Sequence, residues 1–292
     1  MVDVRVVNAM SVDVEDYFHA HALSPSFPRG RWDECECRVE RNIERVLHLF
    51  SDANIVATFF TLGWIGERYP QLVRRIVGNG HELGSHGYDH TRVDRQTPEE
   101  FRDDVRKTKR ILEEAGSCSV VGYRAASFSI GPNNQWAFDI LEHEGYKYSS
   151  SIYPISHDHY GTIEAPRFPF HPTQGELLEL PIATVRRFGR QIPCGGGGYF
   201  RLIPYPVFRA NLRRINYADC RPCVFYFHPW ELDPSQPRGT GLPWRSRIRH
   251  YLNLSRMEAR LSMLLKDFSW TRMDHLFLRQ TDSEDTITVV PP

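Results

Sequence analysis

Short apolar, β-branched runs alternate along this chain with segments whose apolar residues recur at helical spacing. That alternation limits the chain to folds in which helices pack on a largely parallel sheet. Val4–Val14 is apolar and β-branched for most of its length and reads as a first strand. Ile43, Val46, Leu47 and Phe50 then fall at i, i+3, i+4 and i+7, one face of a helix, with no clear capping residue before them. Ile55–Phe60 (IVATFF) is a short apolar run between Asn54 and Gly63, the mark of a buried strand. Leu72, Val73, Ile76 and Val77 give a helix within Tyr69–Gly78. Thr97-Pro98-Glu99-Glu100 carries a full start signal: a capping Thr, Pro in the first turn, and Glu three residues after the cap. Phe101, Val105, Thr108, Ile111 and Leu112 share the face that follows, and Gly116 ends it. Val120–Tyr123 and Val224–His228 read as further buried strands, and Leu254 to Phe268 as a long amphipathic helix.

Charge narrows the partners. Lys+Arg and Asp+Glu balance at 36 each in 292 residues, so no global field favours nucleic acid or an anionic membrane. No segment approaches the roughly 18 uncharged apolar residues of a spanning helix, and acidic residues interrupt the N-terminal segment where a signal peptide would be apolar. The expected location is the cytoplasm. Of the six cysteines, Cys220 and Cys223 form a CxxC, but Cys35-Glu-Cys37 has the wrong spacer to complete a zinc knuckle, so reduced thiols are expected. Gly195–Gly198 lacks the Lys-Ser/Thr of a phosphate loop and, with a strand-like GYFRL after it, reads as a mobile or tightly turned loop. Pro229–Pro243 reads as a long loop.

Three polar clusters close predicted strands, where α/β folds place their active sites. The first, Ser11-Val12-Asp13-Val14-Glu15-Asp16, holds three carboxylates in four residues, which repel one another unless a cation or protons compensate. The second is Ser85-His86-Gly87-Tyr88-Asp89-His90; two His four apart meet on one face if the segment turns helically, close enough to share a metal. A bare HxxxH is a weak signal alone, but a carboxylate brought alongside would complete a two-His site with coordination positions left open for water and substrate. The third, Phe225-Tyr226-Phe227-His228-Pro229-Trp230, ends an apolar strand on a His, which is more often a core residue than a catalyst unless the other clusters join it. Arg124, in GYRAASFS, also ends a strand and could orient one of the carboxylates.

Taken in order, these pieces resemble the polysaccharide deacetylase family, which includes chitin, peptidoglycan and chitooligosaccharide deacetylases. SHGYDH is similar to the family's metal-binding His motif, GYRAASFS to its Arg motif and FYFHP to its final His motif. SVDVEDYFH resembles the paired-aspartate motif as found in a subgroup encoded with bacterial exopolysaccharide export systems; GGGGYFRL, LELPI at Leu178–Ile182 and YLNLSRMEARL are similar to that subgroup too. The resemblance runs from Ser11 to His228. It departs in two places: the adjacent Asp-Asp is spread over Asp13, Glu15 and Asp16, and Ser149 stands where the family often has an Asp before two serines.

The resemblance implies a distorted (β/α) barrel with fewer than eight strands, formed by one domain over 1–292 with a helical extension from about 245 onward. It implies hydrolysis of an N-acetyl amide on an amino-sugar polymer, a bacterial exopolysaccharide. His86, His90 and a carboxylate, Asp16 or Glu15, would hold a divalent metal, zinc by expectation. Asp13 would be the base with Arg124 holding it, and His228 the acid. A backbone N–H near Ser127–Phe128 would stabilise the oxyanion, and Ser127, Phe128, Tyr199 and Trp230 would line the substrate site. Two rivals stand beside this: an amidase for a small cyclic or linear amide, which predicts a closed pocket, and a non-catalytic carbohydrate-binding relative.

Overall fold

A computed structural model describes residues 6–156, 161–187 and 189–278. Val4 and Arg5 of the expected first strand, and 279–292 of the expected extension, lie outside the described residues. In chain order the strands are β1 (Val7–Val14), β2 (Thr58–Thr61), β3 (Glu82–Ser85), β4 (Gly122–Tyr123), β5 (Tyr148–Ser149), β6 (Leu178–Glu179), β7 (Thr184–Arg187), β8 (Arg190–Pro193), β9 (Val224–Phe227) and β10 (Ser269–Thr271). The α-helices are α1 (Val39–Asp52), α2 (Gly63–Arg68), α3 (Pro70–Gly78), α4 (Pro98–Gly116), α5 (Trp136–His143), α6 (Gly197–Leu202), α7 (Tyr205–Ala218), α8 (Trp244–Tyr251), α9 (Met257–Asp267) and α10 (Met273–Phe277).

Seven parallel strands, β1 to β6 and β9, curl into a half-barrel with helices around it. The short β10 adds in parallel at the start of β1, so the expected C-terminal extension is not helical throughout. β7 and β8 form a separate antiparallel hairpin. Where a closed barrel would pair β6's continuation with β9, one bond spans the gap: the Ala183 N–H donates to the Val224 carbonyl at 3.1 Å. β1 is the hub, pairing with β2, β9 and β10.

A strand sends successive side chains to opposite faces, and β1 uses both. Met10, Val12 and Val14 point outward into the core shared with Ile43, Val46 and Leu47 of α1. Ala9 points inward, in a cluster with Phe60, Tyr148 and Tyr226. Ser11 and Asp13 share that inner face by the same alternation.

The interior is layered. At the foot, Glu82 accepts from the Tyr148 hydroxyl at 2.9 Å and faces the Thr58 hydroxyl at 2.5 Å. The chain after β10 caps this layer: the Met273 N–H donates to Thr58 Oγ1 and the Asp274 N–H to Glu82 Oε2. Tyr148 fits only because residue 122 is glycine; a Cβ there would lie 2.2 Å from the ring and hydroxyl. Above sits Phe60, with the Arg124 guanidinium 4.2 Å from its ring centre.

Local signals held where the interaction itself is local. Thr97 and Glu100 form the reciprocal capping box, at 3.2 and 2.8 Å, and left-handed Ser117 follows Gly116. GYFRL, expected to be strand-like, is instead α6. The glycine run before it is tightly turned: Gly196 has φ +92, and a Cβ on Gly195 would meet the Val224 carbonyl at 2.8 Å. Backbone lies against backbone there, which the aromatic and β-branched content of the segment does not reveal.

Glu179 of β6 is fully buried and accepts the Ser151 and Ile152 N–H groups, each at 2.8 Å. Burial raises its carboxyl from the ordinary 4.5 to about 7. A raised folded value favours the protonated acid, so this contribution to stability is complete below about pH 4.5 and lost as pH rises through about 7. Glu179→Gln keeps an acceptor for both N–H groups without the proton equilibrium. Its Tm should therefore fall less between pH 5 and 8 than that of the wild type; parallel Tm–pH curves would reject the assignment.

Candidate active site

The alternation of β1 carries one residue past its end. Glu15 follows Ser11 and Asp13 onto the inner face, and Asp16 turns to the other side. There the Asp16 carboxylate caps the turn Tyr17–His19, accepting the Tyr17 N–H at 2.8 Å and the Arg38 N–H. The expectation that Asp16 could be a metal ligand is therefore corrected: its oxygens tie the β1 end to the segment entering α1.

Glu15 Oε1 lies 3.0 Å from His86 Nε2 and 3.1 Å from His90 Nε2. These three form a group whose ligand atoms could hold a metal ion. The His86 Nδ1 faces the Arg124 carbonyl at 2.8 Å, which fixes the tautomer and turns Nε2 toward the group. Two imidazoles and one carboxylate are a donor set suited to a catalytic divalent ion with open positions. The two histidines do not meet through a helical turn as their spacing predicted. They meet through a left-handed one, with φ +74 at Gly87 and +59 at His90. Asp104 braces it by accepting the Tyr88 N–H at 3.0 Å, and α2 by donating the Gly63 and Trp64 N–H groups to the carbonyls of Gly87 and Tyr88. Burial works against ionised Glu15, yet His90, His228 and His86 hold its carboxyl well below the usual range.

Asp13 is gripped from the floor. Arg124, with none of its surface exposed, donates to Asp13 Oδ1 at 2.6 Å and to Ser11 Oγ at 2.8 Å. Its remaining donors reach the Ser150 carbonyl and hydroxyl at 3.1 and 2.8 Å. Ser149, where the resemblance led one to expect an Asp, turns its hydroxyl to a neighbouring serine. It donates to Ser151 Oγ at 2.8 Å, and Ser151 in turn accepts the Ala125 N–H at 2.9 Å, so this serine braces the Arg124 loop.

His228 sits 3.8 Å from Glu15 Oε1 through Nε2, and 3.3 Å from Glu231 Oε2 through Nδ1. Glu231 is the functional residue that sequence reasoning missed. It accepts the His228 backbone N–H at 2.9 Å and, on Oε1, the Arg201 Nε–H at 2.8 Å; both side chains are essentially buried. The only sequence signal was His228-Pro-Trp-Glu231, an i,i+3 capping pattern. The glycine run now has a purpose. A Cβ on Gly197 would lie 1.9 Å from Glu231 Oε2, so only glycine lets α6 bring Arg201 this close. Burial opposes ionisation of Glu231, but Arg201 and His228 outweigh it and pull its carboxyl down to about 2. Burial likewise disfavours charged His228, and Glu15 and Glu231 outweigh that, lifting it to about 9.

These groups open onto one cavity of about 360 Å³, lined among others by Asp13, Glu15, His86, His90 and His228. Ser127 and Phe128 also line it, on consecutive left-handed residues with φ +52 and +49. The Phe128 N–H donates within its loop to the Ala125 carbonyl at 3.0 Å, so of the expected pair this N–H is already engaged. Trp230 lines the cavity but is not an open stacking face. It is 5% exposed and lies between the rings of His228 at 4.9 Å and His250 at 4.1 Å, so it steadies His228. Tyr199 is elsewhere: it lines a different cavity, with Ile155 and Arg167, and packs edge-on against Tyr153 at 6.2 Å. The cysteines are free thiols, as expected.

Residues 31–148 match the family model described as polysaccharide deacetylase, and residues 150–278 match a domain of unknown function, DUF3473. The boundary falls at β5, whose strand pairs with both β4 and β6, so the two stretches build one sheet. A peptidoglycan-N-acetylglucosamine deacetylase of Bacillus cereus is 37% identical over 68 residues, 23% of this chain and 25% of that protein. A chitooligosaccharide deacetylase of a Bradyrhizobium species is 30% identical over 96 residues, 33% of this chain and 42% of that one. The matched stretches thus span between a quarter and about two fifths of those curated relatives. A Mycobacterium smegmatis protein described as a polysaccharide deacetylase superposes over 93% of this chain and 90% of its own, with TM-score 0.56 and 17% identity, a likeness of fold. With its motifs, its sheet and its site in one frame, the chain matches the polysaccharide deacetylase family model over residues 31–148 and shares the fold of a protein described as a polysaccharide deacetylase.

Proposed function

We propose that this protein is a metal-dependent hydrolase that removes N-acetyl groups from an amino-sugar polymer, with an exopolysaccharide as its substrate. One observation carries the reading: a carboxylate held by an arginine, a two-His-one-carboxylate group and a carboxylate-backed histidine face the same cavity. Glu15, His86 and His90 are the ligands, with zinc the ion that this nitrogen-rich set suits. When bound, such an ion polarises the acetyl carbonyl and acidifies water at the site.

The chain's own residues do the rest. Arg124 occupies Oδ1 of Asp13 and fixes the plane of its carboxylate, leaving Oδ2 to take the proton of the attacking water. The Ser127 N–H stabilises the oxyanion. His228 protonates the departing amine nitrogen from Nε2, because Glu231 takes the Nδ1 side and Arg201 holds Glu231. Glu231 thus gives His228 a carboxylate partner, at a position other than 149, where the resemblance led one to expect an Asp. A second cavity of about 160 Å³ lies beside the first, the two sharing His21, Ser24, His90 and Arg92 in their linings. Two neighbouring cavities support a polymer over a small cyclic amide.

Incubation with acetylated glucosamine oligomers should release acetate, and a chelator should stop it. Absence of acetate from the metal-loaded protein would overturn the reading. Asp13→Asn should keep the metal and lose turnover by about 10²–10⁴-fold, the usual contribution of a positioned acid or base.

The two neighbouring carboxylates separate by metal content. Elemental analysis should find about one divalent ion per chain in the wild type and in Asp16→Asn, and little in Glu15→Gln. The reverse pattern would return Asp16 to the ligand set.

His228→Ala should slow hydrolysis of the N-acetyl amide far more than that of an aryl acetate ester, whose leaving group needs little protonation. Glu231→Gln should show the same selectivity in weaker form with metal retained. Equal losses on both substrates would leave His228 as a binding residue.

A further inference from the structure

We infer that Glu179, the buried acid of the LELPI segment, is a positioning residue of the hydrolytic site: it sets the place of Arg124 and, through Arg124, that of the Asp13 carboxylate. This rests on the deacetylase reading for what Asp13 does, and deepens it by one residue.

The Arg124 guanidinium is held along two edges. Nη1 donates to Asp13 Oδ1 and Ser11 Oγ, while Nε and Nη2 donate to the carbonyl and hydroxyl of Ser150. A planar fork held on both sides cannot turn, so Ser150 sets the plane offered to Asp13 as firmly as Asp13 does. Ser150 lies one residue past β5, where the chain leaves the sheet. Its N–H still donates to the Tyr123 carbonyl at 2.8 Å. The next two N–H groups, of buried Ser151 and Ile152, converge instead on one side-chain oxygen, Glu179 Oε1, at 2.8 Å each.

Main-chain atoms of LELPI complete the frame. The Leu180 N–H donates to the Ser149 carbonyl at 2.8 Å, and the Ile182 N–H to the Ile152 carbonyl at 3.0 Å. The Ser150 hydroxyl donates to the Leu180 carbonyl at 2.8 Å, which leaves its oxygen to accept from Arg124. Most residues at 180 and 182 could make those main-chain bonds. The grip on Ser151 and Ile152 needs a side chain at 179 with an accepting oxygen. Without one, two buried N–H groups lack partners, and a shift that relieves them carries the Ser150 carbonyl away from Arg124. Burial raises the Glu179 carboxyl to about 7, and either protonation state presents that oxygen, so the requirement is for an acceptor and not for a charge.

The test uses the intact, metal-loaded protein and an acetylated glucosamine oligomer. Glu179→Met should lower kcat at least about tenfold, with KM within about twofold and metal content unchanged, because catalysis is steeply sensitive to a misplaced group. Glu179→Gln keeps the oxygen and should stay within about threefold of the wild type, with Glu179→Asp, one methylene short, between the two. In an Arg124→Lys background a lone ammonium cannot span Asp13 and both Ser150 oxygens. There Glu179→Met should cost less than about threefold further, whereas independent defects would multiply. An unchanged kcat in folded Glu179→Met, a Gln variant as slow as the Met one, or a full multiplicative loss in the Arg124→Lys background overturns the inference while leaving deacetylation intact. If the wild type releases no acetate, the deacetylase reading fails instead. The crystal structure of Glu179→Met, or of Glu179→Asp should the first not fold, then decides: Arg124 still bonded to both Ser150 oxygens overturns the positioning role.

Discussion

A guanidinium with no exposed surface must find its counter-charge and its hydrogen bonds where it lies, since an uncompensated buried charge is among the costliest defects a fold can carry. Arg124 meets that demand with Asp13, Ser11 and both oxygens of Ser150, while Phe60 supports the plane of the group from below. These hydrogen-bond partners come from β1 and from the segment after β5, and Arg124 itself follows β4, so the arginine fastens all three at the height of the cavity. Its backbone carbonyl also orients His86, so one residue holds the proposed base by its side chain and a candidate ligand by its main chain. Replacing its side chain would leave Asp13 buried without its cation.

A second set of buried charges is arranged on the same plan. Arg201 and Glu231 pair at 2.8 Å behind His228, and Arg201 also donates to the carbonyls of Leu252 and Arg249. The pair therefore ties the support of His228 to α8, which lines the cavity through Ser246, Arg249 and His250. Placement of the histidine and placement of that wall are linked through one arginine.

How much of this could be read in advance depended on how far each interaction reaches along the chain. The capping box at Thr97 joins residues three apart and was legible in full. The pairing of His86 with His90 was legible as a spacing, but the left-handed turn that achieves it depends on Asp104 and α2, which no local pattern announces. The choice between Glu15 and Asp16 depends on strand parity at one residue past the end of β1, where sequence cannot say whether the alternation continues. Glu231 looked like an ordinary acid after a turn, because the arginine that buries it arrives from 30 residues upstream. α6 was misread for a related reason: aromatic residues after a glycine run favour a strand locally, and the close packing on Glu231 and β9 overrides that preference.

The central position of β1 bears on how such a chain comes off the ribosome. Its first strand carries Asp13 and Glu15, yet two of its three partner strands are β9 and β10, and Cys223 reaches Asn8 across 215 residues of sequence. Contacts so distant are slow to form, and until they do a strand destined for burial keeps an unpaired edge. For most of its synthesis the nascent chain therefore presents the hydroxyl and carboxylates of the future site on a strand open to wrong pairing. A need for shelter during translation is built into a sheet whose earliest strand waits for its latest.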